Sequence, residues 1–147
     1  RFWPLFKGRD GCRAPMQWNS ELNAGFSQTD PWLPVNPDFP RRNVQRQQSD
    51  PDSLLNFFKK LVAVRKDQPA LQRGEFTALN AEPKDILAFE RHLDEKRIIV
   101  LLNFKSSEKS FVLPPGKWQP LLDQSDRVSG EIALTPYQVR SLKNTAE

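Results

Sequence analysis

From Leu54 onward, apolar side chains recur every three or four positions. Leu54, Phe57, Phe58, Leu61 and Val62 form the row, Arg65 continues it, and Lys59, Lys60 and Lys66 fall on the other side. That spacing predicts a helix over residues 50–66. Ser49 or Asp50 is placed to cap it, with Pro51 at the first helical position, where a missing N–H costs nothing. Arg65 and Lys66 in the last turn suit the helix dipole, and Pro69 lies just past the end. From Gly74 the period shortens to two. Phe76–Leu79, Ile86–Leu93, Arg97–Phe104, Phe111–Leu113, Trp118–Leu122, Ile132–Leu134 and Tyr137–Leu142 read as short strands. Ile98–Leu102 reads as a central strand buried on both faces. Asp94-Glu95, Pro114-Pro115-Gly116 and Ser129-Gly130 punctuate the series, which predicts an antiparallel β-sandwich. The boundary between the two patterns falls near residues 70–74.

Residues 1–48 show neither period. They hold Pro4, Pro15, Pro31, Pro34, Pro37 and Pro40, together with Trp3, Trp18 and Trp32. Disordered segments are poor in aromatics, so this stretch reads as an ordered loop. A loop of such length is functional or belongs to something larger. The chain opens Arg1-Phe2-Trp3-Pro4, which reads as a start in mid-protein.

Composition narrows the function classes. The 147 residues carry 22 Lys+Arg against 18 Asp+Glu, a net charge of +4. Arg41 and Arg42, followed by Arg46, are the densest basic group, too small for the basic face that nucleic acid requires. A single cysteine, Cys12, excludes an internal disulfide and points to a reducing compartment, taken as the cytoplasm. A single histidine, His92, excludes multi-histidine metal sites. No apolar run approaches the roughly 20 residues that span a bilayer. Nucleic acid and membrane are therefore not expected partners.

The chemistry-bearing segment is Lys7-Gly8-Arg9-Asp10-Gly11-Cys12-Arg13-Ala14-Pro15-Met16-Gln17-Trp18. Asn23-Ala24-Gly25-Phe26 and Pro31-Trp32-Leu33-Pro34-Val35 follow it. This succession resembles the α-glucosidases of glycoside hydrolase family 13, a group that includes oligo-1,6-glucosidases, trehalose synthases and sucrose isomerases. The resemblance continues through Asp50-Pro51-Asp52-Ser53 and Arg65-Lys66-x-x-Pro69-Ala70-Leu71, and is thinner in the strands. Ala14 departs from the usual Thr and removes a hydroxyl that would fix the loop backbone.

The resemblance implies an α+β fragment: the last loop and helix of a (β/α)8 barrel followed by an antiparallel β-sandwich. Residues 1–71 would be the end of the barrel, with residues 1–48 the long loop after its eighth strand and 50–66 its eighth helix. Residues 74–147 would be the C-terminal sandwich. Active sites of such barrels lie in the loops at the strand C-termini. The family cleaves α-glucosides with retention, using a nucleophilic carboxylate and an acid/base carboxyl group. Both would lie upstream of Arg1, so no catalytic residue is assigned here, and the chain alone is expected to be inactive. No cofactor and no metal ion enter this reading. Arg9 and Arg13 match the family's substrate-positioning arginine, with Arg9 favoured for the sugar contact and Arg13 for shaping the loop. A guanidinium can pair a carboxylate and donate to a sugar hydroxyl at once.

Plainer readings stand beside these. Arg9 and Arg13 could pair with Asp10 and Glu21. Trp18, Phe26 and Trp32 read as anchors for the loop on the barrel rather than sugar platforms. Cys12 reads as a small buried hydrophobe, His92 as surface or core filler, and Asp123-Gln124-Ser125-Asp126 as a turn. Phe57, Phe58 and Leu61 read as core. Alternatives in other classes are a glycan-binding module displaying Trp118 or Tyr137, a purely structural sandwich, and a non-catalytic transporter relative. Loss of the barrel would leave the loop and helix stripe exposed, so residues 74–147 are expected to fold alone better than residues 1–147.

Overall fold

A computed structural model describes residues 12–79 and 85–145. The chain forms two compact units, Arg1–Lys59 and Lys60–Glu147. Helix α2 (Leu54–Asp67) runs across the division.

The first unit contains a short helix, α1 (Val44–Ser49), within the stretch where no period was visible. Asn43 caps it: its Oδ1 accepts from the Arg46 N–H at 2.9 Å, and its Nδ2 donates to the Phe39 carbonyl at 2.8 Å. The cap rather than an apolar stripe makes this helix, since none of its residues is buried. The helix expected over residues 50–66 begins later, at Leu54. Asp50 Oδ1 accepts from the Asp52 N–H at 3.0 Å, and the Asp50 carbonyl accepts from the Ser53 N–H at 3.1 Å. These bonds close a turn around Pro51, so Pro51 lies outside the helix. The cap is neither Ser49 nor Asp50 but Ser53, whose Oγ accepts from the Asn56 N–H at 3.2 Å. Asn56 Nδ2 returns to the carbonyls of Gln47, Gln48 and Asp50, which ties α2 to the end of α1.

The Phe57–Phe58–Leu61 stripe is not core in this chain. No residue of α2 is buried, and Leu54 and Phe58 are 76% and 60% exposed. The period is helical as expected, but among the described residues its members are at most half-buried: Leu61 and Val62 are partly covered, and Leu54, Phe57 and Phe58 are exposed.

In the second unit, Pro69 starts a further short helix, α3 (Pro69–Arg73), instead of merely following one. Pro suits a first helical position because its missing N–H is unpaired there anyway. Strands β1 (Glu75–Ala78), β2 (Ile86–Leu93), β3 (Lys96–Asn103), β4 (Lys109–Val112), β5 (Trp118–Pro120), β6 (Glu131–Leu134) and β7 (Val139–Asn144) follow. One sheet has the order β1-β2-β3-β7-β5, and a second pairs β4 with β6; every pairing is antiparallel. The β2–β3 hairpin turns on Asp94-Glu95, with Asp94 at φ 52°, a left-handed conformation that Asp tolerates.

The core lies between the sheets. Ile86, Ala88, Ile99, Leu101, Trp118 and Leu142 come from the larger one, and Phe111, Ile132 and Leu134 from the smaller. β3 is the middle strand, as its apolar run predicts. Ile98, Ile99 and Leu101 are buried, while Val100 and Leu102 on the outer face are only half-buried. The expectation of burial on both faces therefore holds at Ile98 and fails at its outer neighbours. Trp118 is 1% exposed, which removes it as a sugar platform, whereas Tyr137 is exposed. His92 is exposed.

Charged groups in this unit have structural partners. Arg97 grips Glu90 with two bonds of 2.7 and 2.8 Å, and this hydrogen bonding raises the affinity of the guanidinium for its proton. Lys109, then Lys105, hold the Asp85 carboxyl below the ordinary carboxylate range. Asp123 is lowered by the Ser125 hydroxyl and then its backbone N–H, the closed turn that the sequence indicated.

Gly74 joins α3 to β1 at a tight crossing. A Cβ there would stand 2.5 Å from the Ala70 carbonyl oxygen and 2.7 Å from that of His92. Both obstacles are backbone, so neither can swing away. Gly74→Ala is expected to cost about 1–3 kcal/mol of unfolding free energy, read as a lower urea midpoint at unchanged m-value.

Candidate functional site

The described part of the motif segment, residues 12–18, is held by polar side chains and backbone bonds more than by apolar packing. Pro15 is buried. It fixes its own φ and restricts Ala14 before it to extended backbone. Gln17 then donates through Nε2 to Asp38 Oδ1 at 2.8 Å and to the Arg42 carbonyl at 2.7 Å. Its carbonyl accepts from the Val44 N–H, and the Trp18 carbonyl accepts from the Gln45 N–H, both at 2.9 Å. Gln17 and Trp18 thus clasp the segment to the start of α1.

The other side of Trp18 is fastened to a left-handed turn. The N–H groups of Trp18 and Asn19 both donate to the Ala24 carbonyl, at 2.9 and 3.2 Å. Asn23, Ala24 and Gly25 lie at φ 52°, 58° and 67°. Such a run costs a residue with a Cβ about 1–2 kcal/mol, which suits Asn23 and Gly25 and makes Ala24 the strained member. Asn23 Nδ2 offsets part of this by donating to the carbonyls of Ser27 and Thr29, at 3.3 and 3.0 Å. Ala24 is fully buried. Gly25 at φ 67° is where glycine is favoured, and a Cβ there would also lie 2.6 Å from Asn19 Oδ1 and displace that side chain.

Arg13 is exposed at the entry to this clasp. Arg9 and Asp10 lie outside the described residues. Among the described residues, the ion pair of this segment joins Arg42 to Asp38 at 3.6 Å, and none joins Arg13 to Glu21. Cys12 is exposed, which corrects its reading as a small buried hydrophobe. Trp18, Phe26 and Trp32 are 49%, 49% and 80% exposed. An open depression of about 470 Å³ beside the left-handed turn is lined by Glu21, Leu22, Gly25, Phe26, Ser27 and Gln28. Arg13 is not among these residues.

Sequence reasoning treated Gln17 only as a letter of the motif and did not single out Asn43. Asn43 carried a readable signal, a capping side chain three residues before Arg46. Gln17 carried none, because its partners lie more than twenty residues away. Among the described residues, no group of three or more His, Cys, Asp or Glu side chains is placed to hold a metal ion. No helix among them is long and apolar enough to cross a membrane.

Residues 3–74 match the Alpha-amylase family, described as alpha amylase, catalytic domain. The probable oligo-1,6-glucosidase 2 of Bacillus subtilis (strain 168) is 39% identical over 142 residues, covering 92% of this chain and 25% of that protein. The oligo-1,6-glucosidase of Parageobacillus thermoglucosidasius is 34% identical over 147 residues, covering 94% of this chain and 26% of that protein. Among solved structures, the trehalulose synthase MutB from Pseudomonas mesoacidophila MX-45 superposes with a TM-score of 0.81. It is 32% identical, over 94% of this chain and 26% of that one. The chain belongs to glycoside hydrolase family 13, the α-amylase family. Within that family its likeness runs to the α-glucosidase group, of which it spans about a quarter of the length.

Proposed function

We propose that this chain is the C-terminal part of a retaining α-glucosidase. The enzyme would release terminal α-linked glucose from maltose- or isomaltose-type oligosaccharides. The observation that carries this reading is the motif segment itself. It lies within the residues matched to the catalytic domain, and its backbone is fixed on both sides of Trp18 while Arg13 stands exposed.

In this reading, residues 1–71 complete the barrel: the segment up to α1 is the loop after the last strand, and α2 is the last helix. Arg9 supplies a guanidinium donor to the terminal glucose, and Arg13, favoured on sequence for shaping the loop, is read here as a second donor because it stands exposed. The nucleophile and the acid/base, which retaining enzymes hold about 5–5.5 Å apart, come from the preceding part of the protein. Residues 74–147 form the C-terminal sandwich and serve a structural role. The burial of Trp118 supports that role over glycan binding. The exposed side chains of Trp18, Trp32, Phe57 and Phe58 support instead the barrel placement of residues 1–71, as apolar surface that the rest of the barrel would cover.

The test is an assay of the full-length protein with p-nitrophenyl α-glucoside and with isomaltose. Release of glucose from both is expected, with no turnover by residues 1–147 alone. Turnover by the isolated chain would refute the placement of the carboxylates outside it. Sucrose converted to an isomeric disaccharide, in place of hydrolysis, would move the protein to the isomerase branch.

A further inference from the structure

We infer that Gln17 is a positioning residue for substrate: it sets where Arg13 stands, through the rigid link Ala14-Pro15. This rests on the α-glucosidase reading above and adds to it a residue that touches no sugar.

Arg13 is the side chain that the segment must place. It is exposed, and among the described residues no carboxylate holds it in an ion pair. Among the described residues its placement therefore rests on its backbone. On the C-terminal side that backbone has little freedom, because Pro15 fixes one dihedral and confines Ala14. Pro15 is buried, so the link cannot swing outward. Beyond this stiff piece only Met16, itself half exposed, precedes the next anchored residue, Gln17.

Gln17 is over-determined there. Both hydrogens of its Nε2 are used, on Asp38 Oδ1 and the Arg42 carbonyl, and its own carbonyl receives the Val44 N–H. The acceptors are fixed in turn. The Asp38 carbonyl receives the N–H groups of Arg41 and Arg42, both at 2.9 Å, and Asn36 Oδ1 receives the Asp38 N–H at 3.2 Å. Asp38 also pairs with the Arg42 side chain. The amide bridges two chain segments that no other side-chain bond described between residues 12 and 49 joins. Losing it leaves the Val44 and Gln45 backbone bonds in place. The segment should therefore stay folded while its entry angle loosens.

Small misplacements of a substrate-holding group are costly, because binding energy depends on alignment. An arginine that holds glucose equally in the ground state and the transition state affects KM and leaves kcat unchanged. Gln17→Ala in the full-length enzyme is thus expected to raise KM for p-nitrophenyl α-glucoside about tenfold, with kcat within about twofold. Gln17→Glu should be worse, since a carboxylate would replace a donor between Asp38 and a carbonyl. Adding Asp38→Asn to Gln17→Glu supplies a donor across the same gap and should recover part of the KM loss.

A purely structural Gln17 would lower the melting temperature of the variants and leave KM at the native value. That result overturns the inference, as does a double variant with a KM no better than Gln17→Glu alone. Should Gln17→Ala not fold, the comparison of Gln17→Glu with the double variant decides by the same criterion. Failure of the native enzyme to cleave any α-glucoside would instead remove the α-glucosidase reading, and this inference with it. Native turnover beside an unchanged Gln17→Ala removes the inference alone.

Discussion

Trp118→Ala is expected to lower the unfolding free energy by about 3–5 kcal/mol, the usual cost of emptying a large aromatic from a core. The ring is among the largest fully buried side chains and meets residues of both sheets in one cluster. Its indole N–H donates to the Pro114 carbonyl at 3.0 Å, so the substitution also leaves that carbonyl without its donor. The Arg97 guanidinium lies over the ring, 5.4 Å from its centroid, while its nitrogens hold Glu90. Removing the ring exposes this ion pair to water and takes away the cation–π contact, worth about 0.5–1 kcal/mol at partly exposed sites. Trp118→Phe separates the contributions. It keeps most of the apolar surface and loses the N–H, and should cost about 1–2 kcal/mol. Urea unfolding followed by far-UV circular dichroism measures both. A loss below about 1 kcal/mol for Trp118→Ala would contradict the central place given to the ring.

Much of the strand half was legible because its signals are local. Ile86–Leu93 alternates, and the observed strand has those limits. Ile98–Leu102 is continuous, and it is the middle strand. Trp118 was readable as a strand residue but not as buried, since burial depends on a second sheet that alternation does not reveal. In the first half the legible element was the stripe of α2, and the error was to equate a stripe with a core. A stripe states that a face needs covering; it does not state that the chain at hand supplies the cover.

The candidate site was legible as a motif and not as a geometry. Arg9 and Arg13 were found by resemblance, and no period or composition would have chosen them over Arg41 or Arg46. The bonds that order the segment pass between Gln17 and Asp38, Trp18 and Ala24, and Asn23 and Thr29. Side-chain amides to distant carbonyls leave no regular spacing. The left-handed turn was nearer to being readable, because Asn23 and Gly25 are residue types that tolerate positive φ, although Ala24 between them is not. The expectation of an ordered loop followed from its aromatics; what orders it is chiefly hydrogen bonding.

The second large effect is expected at Asn103, and it tests the joint between the two sheets. Asn103 is 2% exposed at the end of β3. Its Nδ2 faces the carbonyls of Ser107, Leu134 and Thr135 at 2.9, 3.2 and 2.9 Å, and its Oδ1 accepts from the Lys105 N–H at 2.9 Å. One amide thereby fastens the five-stranded sheet to the end of β6 in the other sheet. Asn103→Asp keeps the shape and the acceptor for Lys105, but turns the donor into an oxygen aimed at three carbonyl oxygens. Burying that charge without a donor should cost about 3–4 kcal/mol at neutral pH. The carboxyl can lessen the cost by taking up a proton, so its pKa in the folded variant must lie above the unfolded value. A group raised in this way makes the folded state bind more protons than the unfolded one. The deficit should therefore be smallest below the ordinary carboxylate range, grow as pH rises through it, and level off above the folded pKa. Urea midpoints of the variant and the native chain, compared across that range, measure the slope. A deficit that is the same at every pH would show that the substituted side chain is not held against the three carbonyls, and that the sheets are joined by other means.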